Sequence, residues 1–521
     1  MGNYNAGEWL LDRNLRDGRA AQTAIRCQGR SVTYGEVMGE VQRVQLALAD
    51  IGVAAGERVL IVLNDDPVFV AWFVGCLRSG VVPVPVSTMS LGPDLAAIAA
   101  DCAAPLLVVS AEYADRIDAI ATGAPSVRLV IVDGETDPGP VDSASTVPAQ
   151  AWSSFPTAST EMPIAPTTWD TPGFWLYSSG TTGLPKGVIH KHGDLQATYD
   201  TYATHVLRVT ERDRFLSVAK MFFAFGLGNS ITFPFGAGAS VILEPRRPTP
   251  AMFAEIVAAE QPTLFFAAPG FVAGLLDAGV TAEQFASVRA TVTAGESLPA
   301  PLQQRFSERC GHPVLDGIGT TEATHIFVSN TLDEQQPGSS GHVVPGYTAR
   351  LLDDDGNVVT AAGKPGYLQV KGPSVMAGYW NRPDATATAL ADGWLRTGDV
   401  YVRDEGDHWT FLGRNNDMIK AGGIWVSPAE VESALIAHPD VLEAAVVGAR
   451  NADGLEETVA FVVPRRGHAI DTAAIDAHCR TLIAAFKRPK RLVVVDALPK
   501  TATGKIQRFA LRDQLTAEAS R

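Results

Sequence analysis

A glycine- and hydroxyl-rich loop follows an apolar run in the segment Phe174-Trp-Leu-Tyr-Ser-Ser-Gly-Thr-Thr-Gly-Leu-Pro-Lys-Gly-Val188. Glycines allow backbone N–H groups to converge on an anion, the hydroxyls donate hydrogen bonds, and Lys186 adds a positive charge. This combination suits a polyphosphate, and a plain glycine- and serine-rich turn is the alternative. A Walker A loop is excluded, because Pro185 precedes the lysine and Gly187 follows it.

The string Tyr177–Gly187 resembles the signature of the adenylate-forming superfamily, which includes acyl- and aryl-CoA ligases, adenylation domains and luciferases. Four more motifs of that superfamily follow in the expected order, and the resemblance spans essentially the whole chain. They are Gly317-Ile-Gly-Thr-Thr-Glu322, Thr397-Gly-Asp399, Gly413-Arg-Asn-Asn-Asp-Met-Ile-Lys420 and Pro499-Lys-Thr-Ala-Thr-Gly-Lys505.

The resemblance implies a reaction in two halves, with ATP, Mg²⁺ and coenzyme A as cofactors. A carboxylate attacks the α-phosphorus of ATP, and a thiol then displaces AMP from the acyl-adenylate. The first half brings an anion to an anion, so positive charge must offset the repulsion. The implied catalytic residues are Lys505 and Glu322, and the implied magnesium ligands are Glu322 and Thr182.

The resemblance also assigns residues to the nucleotide. Asp399 would accept hydrogen bonds from the ribose hydroxyls, and Arg414 would lie near the ribose and phosphate. The full set implied for ATP and AMP is Ser178, Ser179, Gly180, Thr181, Thr182, Gly183, Lys186, Gly295, Glu296, Ser297, Asp316, Gly317, Ile318, Gly319, Thr320, Thr321, Asp399, Arg414 and Lys505.

Three segments resemble benzoate-type CoA ligases in particular: Lys220–Asn229, Pro234–Ser240 and Thr321–Asn330. The acid pocket implied by this match is lined by Ala224, Phe225, Gly226, Ala294, Gly295, Gly319, Thr324, His325 and Ile326. Small residues leave a slot for a planar ring, and Phe225 offers an aromatic wall. Phe225 stands where many benzoate ligases have Tyr, and Thr324 where they often have a larger apolar residue, so we hypothesise a substituted benzoate as substrate.

The residues implied for coenzyme A are Gly422, Gly423, Phe486, Arg488 and Lys490, of which the two cations would meet phosphates. The main alternative is a stand-alone aryl-acid adenylating enzyme that loads the phosphopantetheine of a carrier protein. Two further alternatives are a luciferase-like oxidoreductase and a catalytically inactive nucleotide-binding protein.

The elements that must position these residues are predicted from periodicity. Apolar runs at 59–63, 106–109 and 129–132 predict buried strands, and helical periodicity at 34–48 and 95–102 lies between them. This alternation predicts a large N-terminal lobe of layered α/β subdomains with parallel strands. Glycine-punctuated strands at 349–352 and 367–370 predict a small β-rich subdomain, and residues 143–172 a long surface connection.

A small mobile α+β C-terminal domain is expected to follow, with a strand at 444–447 and a helix at 472–483. The predicted domains are 1–413 and 414–521, with a hinge near Asn416, where relatives more usually have Asp or Lys. The ten residues from Pro67 to Cys76 are too short to span a bilayer and predict a buried helix.

Composition and net charge limit the kinds of binding partner that we expect. The 521 residues carry a formal net charge of −15, which argues against nucleic acid or an anionic membrane as a general partner. Five widely spaced cysteines without a CxxC pair fit a reducing cytoplasm, and the first residues lack a signal-peptide pattern. We expect a cytoplasmic monomer or homodimer that acts on small molecules.

Overall fold

A computed structural model of the chain describes residues 2–134, 147–178, 185–421, 424–450, 456–500 and 506–519. The strands of the first 330 residues are β1 (Thr23–Cys27), β2 (Arg30–Thr33), β3 (Arg58–Val62), β4 (Val82–Pro85), β5 (Leu106–Ser110), β6 (Leu129–Asp133), β7 (Ala149–Ala151), β8 (Pro172–Ser178), β9 (Lys186–Lys191), β10 (Arg214–Ser217), β11 (Ser240–Leu243), β12 (Leu264–Ala267), β13 (Ala290–Thr293), β14 (Val314–Gly319) and β15 (Ile326–Ser329). The later strands are β16 (His342–Val343), β17 (Thr348–Leu352), β18 (Gly366–Lys371), β19 (Gly378–Tyr379), β20 (Leu390–Ala391), β21 (Trp394–Arg403), β22 (Trp409–Arg414), β23 (Ile419–Ala421), β24 (Ile424–Val426), β25 (Val441–Arg450), β26 (Glu456–Pro464) and β27 (Arg491–Val494).

The α-helices are α1 (Arg13–Arg16), α2 (Tyr34–Ile51), α3 (Pro67–Arg78), α4 (Gly92–Cys102), α5 (Ile117–Gly123), α6 (His192–Thr198), α7 (Ala224–Leu227), α8 (Phe233–Ala237), α9 (Pro250–Glu260), α10 (Pro269–Asp277), α11 (Ala300–Cys310), α12 (Pro383–Ala389), α13 (Pro428–Ile436), α14 (Thr472–Leu482) and α15 (Arg508–Ala519). Short π-helical segments span Glu8–Asp12, Tyr199–Leu207 and Gly228–Thr232. Short 3₁₀ segments span Ala111–Arg116, Trp152–Ser154 and Thr321–Ala323.

Two large sheets organise the N-terminal part. Within the described residues, one is nine-stranded in the order β16-β15-β14-β13-β12-β10-β11-β1-β2, and the other is five-stranded in the order β4-β3-β5-β6-β7. Neighbours from β10 to β14 run parallel, as do those of the five-stranded sheet. One apolar core contains residues from both sheets and from α2 and α3 between them, so the predicted layered α/β architecture is confirmed.

Local sequence explains how the central helices begin. The Asp66 carboxylate accepts hydrogen bonds from the N–H groups of Val68 and Phe69, and Pro67 occupies the first turn of α3. α2 begins with a capping box, in which Thr33 and Glu36 each accept a hydrogen bond from the other's backbone N–H. The apolar run at Pro67–Cys76 is thus a buried helix of the core, as predicted.

A second five-stranded sheet follows, in the order β17-β18-β21-β20 with β22 paired to β21, and its described pairs are all antiparallel. This is the predicted β-rich subdomain. The predicted surface connection at 143–172 is partly wrong, because β7 pairs parallel with β6 and Trp152 is buried 5.1 Å from the Trp72 ring. Burial of the large Trp152 side chain is favourable, so this part of the segment packs into the protein and does not form an exposed linker.

The C-terminal part is smaller and mixed α/β. β25 and β26 pair antiparallel, β26 and β27 pair parallel, and α13 and α15 pack against β25. A buried ion pair between Arg508 and Glu432, 2.7 Å apart, joins α15 to α13. Among the described helices, none is both long enough and apolar enough to cross a bilayer.

Candidate active site

A β-hairpin brackets the predicted phosphate loop. β8 and β9 pair antiparallel with Ser178 opposite Lys186, so these two residues flank the loop. The Lys186 ammonium lies 5.1 Å from the centroid of the Tyr379 ring. The remaining predicted loop residues, Ser179, Gly180, Thr181, Thr182 and Gly183, lie outside the described residues.

The Glu322 carboxylate is held beside this hairpin by hydroxyl groups. Its Oε1 accepts hydrogen bonds from Ser178 at 3.1 Å and from Tyr379 at 2.9 Å, and Oε2 accepts one from Thr320. Burial and the Glu322 charge raise the pKa of Tyr379, so its phenol stays a donor. A carboxylate surrounded by hydroxyl oxygens is a hard donor set of the type that Mg²⁺ prefers, and the residues present therefore fit that ion.

The segments predicted to contact adenine lie at the carboxyl ends of adjacent parallel strands, where open α/β sheets bind ligands. Gly295, Glu296 and Ser297 follow β13, and the Thr293 hydroxyl donates a hydrogen bond to Asp316 Oδ1 on β14 at 2.9 Å. Burial raises the pKa of Asp316 well above its usual range.

The next residues of this group lie at the tip of the hairpin formed by β14 and β15. A Cβ at Gly317 would lie 2.9 Å from both Ile326 Cγ2 and the Val328 carbonyl oxygen, so only glycine permits this close approach. Ile318 and Gly319 complete β14, and Thr320 and Thr321 follow it.

Asp399 and Arg414 face each other across β21 and β22. They are paired in the antiparallel register, with Arg414 Nε 3.0 Å from Asp399 Oδ1. The Asp399 side chain is only 6% exposed, whereas that of Arg414 is 51% exposed. Arg414 also donates a hydrogen bond to the Thr397 carbonyl oxygen at 2.8 Å, which fixes its guanidinium beside the carboxylate.

The predicted acid pocket is built on a helix with an irregular centre. α7 and α8 are joined by a π-helical turn at Gly228–Thr232, and such turns are frequent at functional sites. The Phe225 ring lies 5.4 Å from the His325 ring, and a Cβ at Gly226 would collide with the Lys220 carbonyl oxygen. Two further predicted wall residues, Ala224 and Ala294, are buried.

Two more predicted pocket residues come from the β14–β15 hairpin, where Gly319 pairs with Ile326. His325 is buried, with its Nε2 3.2 Å from Asn229 Oδ1, and burial lowers its pKa to about 3. The imidazole is therefore neutral near pH 7 and adds no charge to the pocket.

Ile506, which directly follows Lys505, lies against the segment predicted to contact adenine. Lys505 itself is outside the described residues, but Lys500 and Ile506 form an antiparallel bridge that brackets it. The Ile506 N–H donates a hydrogen bond to Glu296 Oε1 at 3.0 Å. The structure therefore brings Ile506, the residue after the C-terminal motif, to the Gly295–Ser297 segment.

Two family models match most of the chain. The model of the AMP-binding enzyme family matches residues 12–380, and that of the AMP-binding enzyme C-terminal domain matches residues 430–505. The chain belongs to the AMP-binding enzyme family.

Individual relatives of this AMP-binding enzyme cover nearly all of its length. The benzoate–CoA ligase of Thauera aromatica is 41% identical over 98% of this chain and 96% of the relative. The crystal structure of the anthranilate CoA ligase AuaEII with anthranoyl-AMP is 36% identical, with a TM-score of 0.94 over 100% of this chain and 99% of that one. A benzoate CoA ligase from Burkholderia xenovorans LB400 is 36% identical, with a TM-score of 0.88 over 98% and 100% of the two chains.

The residues predicted for coenzyme A lie in the C-terminal part of the AMP-binding enzyme. Phe486 is exposed, Lys490 is exposed at the start of β27, and Arg488 lies 3.9 Å from Asp476. Gly422 and Gly423 lie outside the described residues. The predicted hinge residue, Asn416, is exposed in a turn, and the neighbouring Asp417 is paired with Arg512 of α15 at 2.9 Å.

Sequence reasoning missed a buried polar network behind the pocket. His190 is fully buried, with Nδ1 3.0 Å from Asp194 Oδ2 and Nε2 2.8 Å from the Thr321 carbonyl oxygen. The Thr324 hydroxyl lies 3.1 Å from His190 Nδ1 and donates to the Ser374 carbonyl oxygen, also at 3.1 Å. The hydroxyl of Thr324 is therefore engaged by the protein.

Thr324 also has a strained backbone, with φ of +68°, which is rare for a β-branched residue. Tyr379, the donor to Glu322, was likewise missed. The available signals were the string His190-Lys-His-Gly-Asp194 directly after the phosphate hairpin, and the aromatic pair Tyr379-Trp380 after Gly378.

Proposed function

We propose that the protein is an ATP-dependent, AMP-forming ligase that activates a benzoate-type aromatic acid and transfers it to coenzyme A. The observation that carries this function is the position of the Phe225–His325 pocket beside the nucleotide cluster. His325 and Glu322 lie only three residues apart, on the turn that joins β14 to β15. A ring held against Phe225 would thus lie close to the groups proposed to contact the phosphates.

The first half-reaction depends on positive charge and hydrogen-bond donors around the phosphates. Bound Mg²⁺ supplies charge that offsets the phosphate oxygens, and Glu322 and Thr182 would hold it. Lys186 and Ser178 donate from the two ends of the phosphate loop. Lys505 bridges the acid carboxylate and the α-phosphate, which lowers the repulsion between two anions.

Asp399 and Arg414 position the nucleoside. The Asp399 carboxylate is nearly buried and has lone pairs to accept hydrogen bonds from two ribose hydroxyls. Arg414 Nε lies 3.0 Å from Asp399 Oδ1, so the carboxylate is already oriented when the ribose arrives. The half-exposed guanidinium has donors left for a phosphate oxygen. The Gly295–Ser297 and Asp316–Thr321 segments would enclose the adenine.

The second half-reaction requires Lys505 to withdraw and a thiol to approach. We propose domains at 1–413 and 414–521 and a rotation of the second about Asn416, a motion that needs few hinge residues. The rotation would separate Ile506 from Glu296 and bring the Gly422-Gly423 loop to the acyl carbonyl. Phe486, Arg488 and Lys490 would then bind the nucleotide part of coenzyme A.

The pocket selects by shape more than by hydrogen bonding. Phe225 has no hydroxyl, the His325 imidazole is neutral, and the Thr324 hydroxyl is engaged by His190 and Ser374. We therefore propose benzoate and benzoates with one small ring substituent as the substrate class. A hydroxyl on the ring would gain no hydrogen bond from Thr324.

One competition experiment tests both the acid and the acceptor. The enzyme is incubated with ATP, Mg²⁺, coenzyme A and an equimolar pool of benzoate, its hydroxy, amino and chloro derivatives, cinnamates and fatty acids. Mass spectrometry then identifies the thioesters, and a coupled assay measures pyrophosphate. We expect a benzoyl-type thioester to dominate and the Glu322→Gln variant to form little of it.

Other outcomes would redirect the proposal. Pyrophosphate release without a CoA thioester would favour loading of a carrier protein, an alternative that the CoA-ligating relatives do not favour. A dominant fatty acyl-CoA would contradict the aromatic pocket. Absence of pyrophosphate with every acid would contradict adenylation itself.

A further inference from the structure

Glu334, His342 and His408 converge on the side of the molecule where the nine-stranded sheet meets the β-rich subdomain. One oxygen or nitrogen from each lies within 4.8 Å of the others. His408 Nε2 is 3.1 Å from Glu334 Oε1, and His342 Nε2 is 3.5 Å from Glu334 Oε2. The two imidazole rings are 4.5 Å apart between centroids. Neither the nucleotide cluster nor the acid pocket uses any of these residues.

Two imidazole nitrogens and one carboxylate oxygen are a donor set typical of Zn²⁺ and neighbouring transition metals. Tetrahedral Zn²⁺ with bonds of about 2.0–2.1 Å separates neighbouring ligand atoms by roughly 3.3 Å. The separations are 3.1 Å from His408 Nε2 to Oε1 and 3.5 Å from His342 Nε2 to Oε2 of the same carboxylate, on either side of that value, and one ligand atom from each residue lies within 4.8 Å of the others. Small side-chain movements would therefore bring the three atoms around one ion.

His408 is also oriented as a ligand. Asp404 Oδ2 lies 3.3 Å from His408 Nδ1, and Asp404 Oδ1 accepts a hydrogen bond from the His408 N–H at 2.8 Å. A carboxylate on the far nitrogen is the arrangement that commonly fixes the tautomer and orientation of a metal-binding histidine. On the other side, His342 Nε2 is a buried atom without a hydrogen-bond partner among the described residues, although it faces the Glu334 carboxylate.

The backbone beneath these side chains is well anchored. His342 pairs with Ser329 in the sheet, the Ser340 N–H donates to the Trp409 carbonyl oxygen, and the Trp409 N–H donates to the Gly341 carbonyl oxygen, both at 2.8 Å. His342 on β16 and His408 directly before β22 are therefore held next to each other by backbone hydrogen bonds between the two segments. A plain hydrogen-bonded pair of Glu334 and His408 would not need the second imidazole.

We propose that Glu334, His342 and His408 form a binding site for one divalent transition-metal ion, Zn²⁺ being the best match, with Asp404 as a positioning residue. The ion would join β16 of the nine-stranded sheet to the turn before β22. Because the site is separate from the proposed catalytic residues, its occupancy is expected to affect stability more than turnover.

The test is a zinc titration of untagged, chelator-treated protein at pH 7.5 with a competing indicator, together with the visible absorption of a Co²⁺-loaded sample. We expect one ion per chain, an absorption band typical of tetrahedral Co²⁺, and a higher thermal unfolding midpoint with Zn²⁺. His342→Ala, His408→Ala and Glu334→Gln should each weaken zinc binding at least tenfold. Asp404→Asn should weaken it about 10- to 100-fold with the ligands intact.

The matched control is His205→Ala, which removes an exposed histidine elsewhere and should leave zinc affinity unchanged. Equal zinc affinity in the wild type and the His342→Ala or His408→Ala variant would overturn the proposal, as would a wild type that binds no zinc. Should an alanine variant fail to fold, Glu334→Gln gives the same test, because the Glu334 side chain is 59% exposed.

Discussion

The backbone N–H of Ile506 donates a hydrogen bond to the side chain of Glu296, 210 residues earlier in the chain, at 3.0 Å. Glu296 belongs to the segment proposed to contact adenine, and Ile506 directly follows the proposed catalytic lysine. This contact closes the C-terminal part onto the nucleotide side. In the proposed reaction this arrangement serves adenylation, and we expect the contact to break before the thiol approaches.

Lys505→Ala tests the assignment of the first half-reaction to this arrangement. We expect adenylation, measured by pyrophosphate exchange, to fall by about 10²- to 10³-fold, the cost typical of removing one donor that stabilises developing charge. Thioester formation from preformed aroyl-adenylate should stay within a few-fold of wild type. Lys500→Ala is the matched control, because the Lys500 ammonium is paired with Glu443 at 2.8 Å. Equal losses in both half-reactions would contradict the proposed role.

Glu322→Gln and Tyr379→Phe distinguish the effect of the Glu322 charge from the effect of the hydrogen bond that Tyr379 donates to it. Glu322→Gln keeps the shape but removes the charge, so the Mg²⁺ concentration for half-maximal adenylation should rise at least tenfold. Tyr379→Phe keeps the ring under Lys186 and removes only the hydrogen bond to Glu322, so a smaller rise is expected. Magnesium titrations of pyrophosphate release measure both. An unchanged Mg²⁺ requirement in Glu322→Gln would refute the metal assignment.

Thr324→Val and Thr324→Ser test whether the hydroxyl supports the protein or recognises the substrate. Thr324→Val leaves the Ser374 carbonyl oxygen without its hydroxyl donor and removes one of the contacts of His190, which should lower the free energy of unfolding by about 1–3 kcal/mol. Thr324→Ser keeps the hydroxyl and should cost less. The ratio of kcat/KM for 3-hydroxybenzoate to that for benzoate should be the same in wild type and both variants. A selective loss of the hydroxylated acid in Thr324→Val would show that the hydroxyl contacts the ring substituent.

Much of the fold could be predicted because its signals are local. The apolar run at 59–63 and the helical period at 34–48 correspond to β3 and α2, and β17 and β18 lie where glycine-punctuated strands were expected. The phosphate loop and the motifs around Glu322 and Asp399 could be proposed because their residue types follow one another in the chain.

Other parts of the site depend on contacts between distant residues. Thr324 and His190 are 134 positions apart, and neither has a neighbour in sequence that would indicate their hydrogen bond. The residue type at position 324 predicted a polar pocket wall, whereas in the structure the Thr324 hydroxyl contacts His190 and Ser374. The cluster of Glu334, His342 and His408 also escaped prediction, because pairing of β16 and the approach of β22 create it.

His192 should make stability depend on pH in a defined window. It is buried, its Nδ1 accepts a hydrogen bond from the Ala6 N–H at 3.1 Å, and burial lowers its pKa from 6.5 to about 4. Below pH 6.5 the unfolded chain therefore binds a proton that the folded chain does not, so the contribution of neutral His192 is complete above pH 6.5 and declines between pH 6.5 and 4. The decline approaches about 1.4 kcal/mol per pH unit near the middle of that range. Urea unfolding of wild type and His192→Gln from pH 7.5 to 4.5 measures it. The difference in the free energy of unfolding between the two proteins should shrink as the pH falls. The control variant His205→Gln should follow the wild type throughout. A constant difference for His192→Gln would show that burial does not lower the pKa of this histidine.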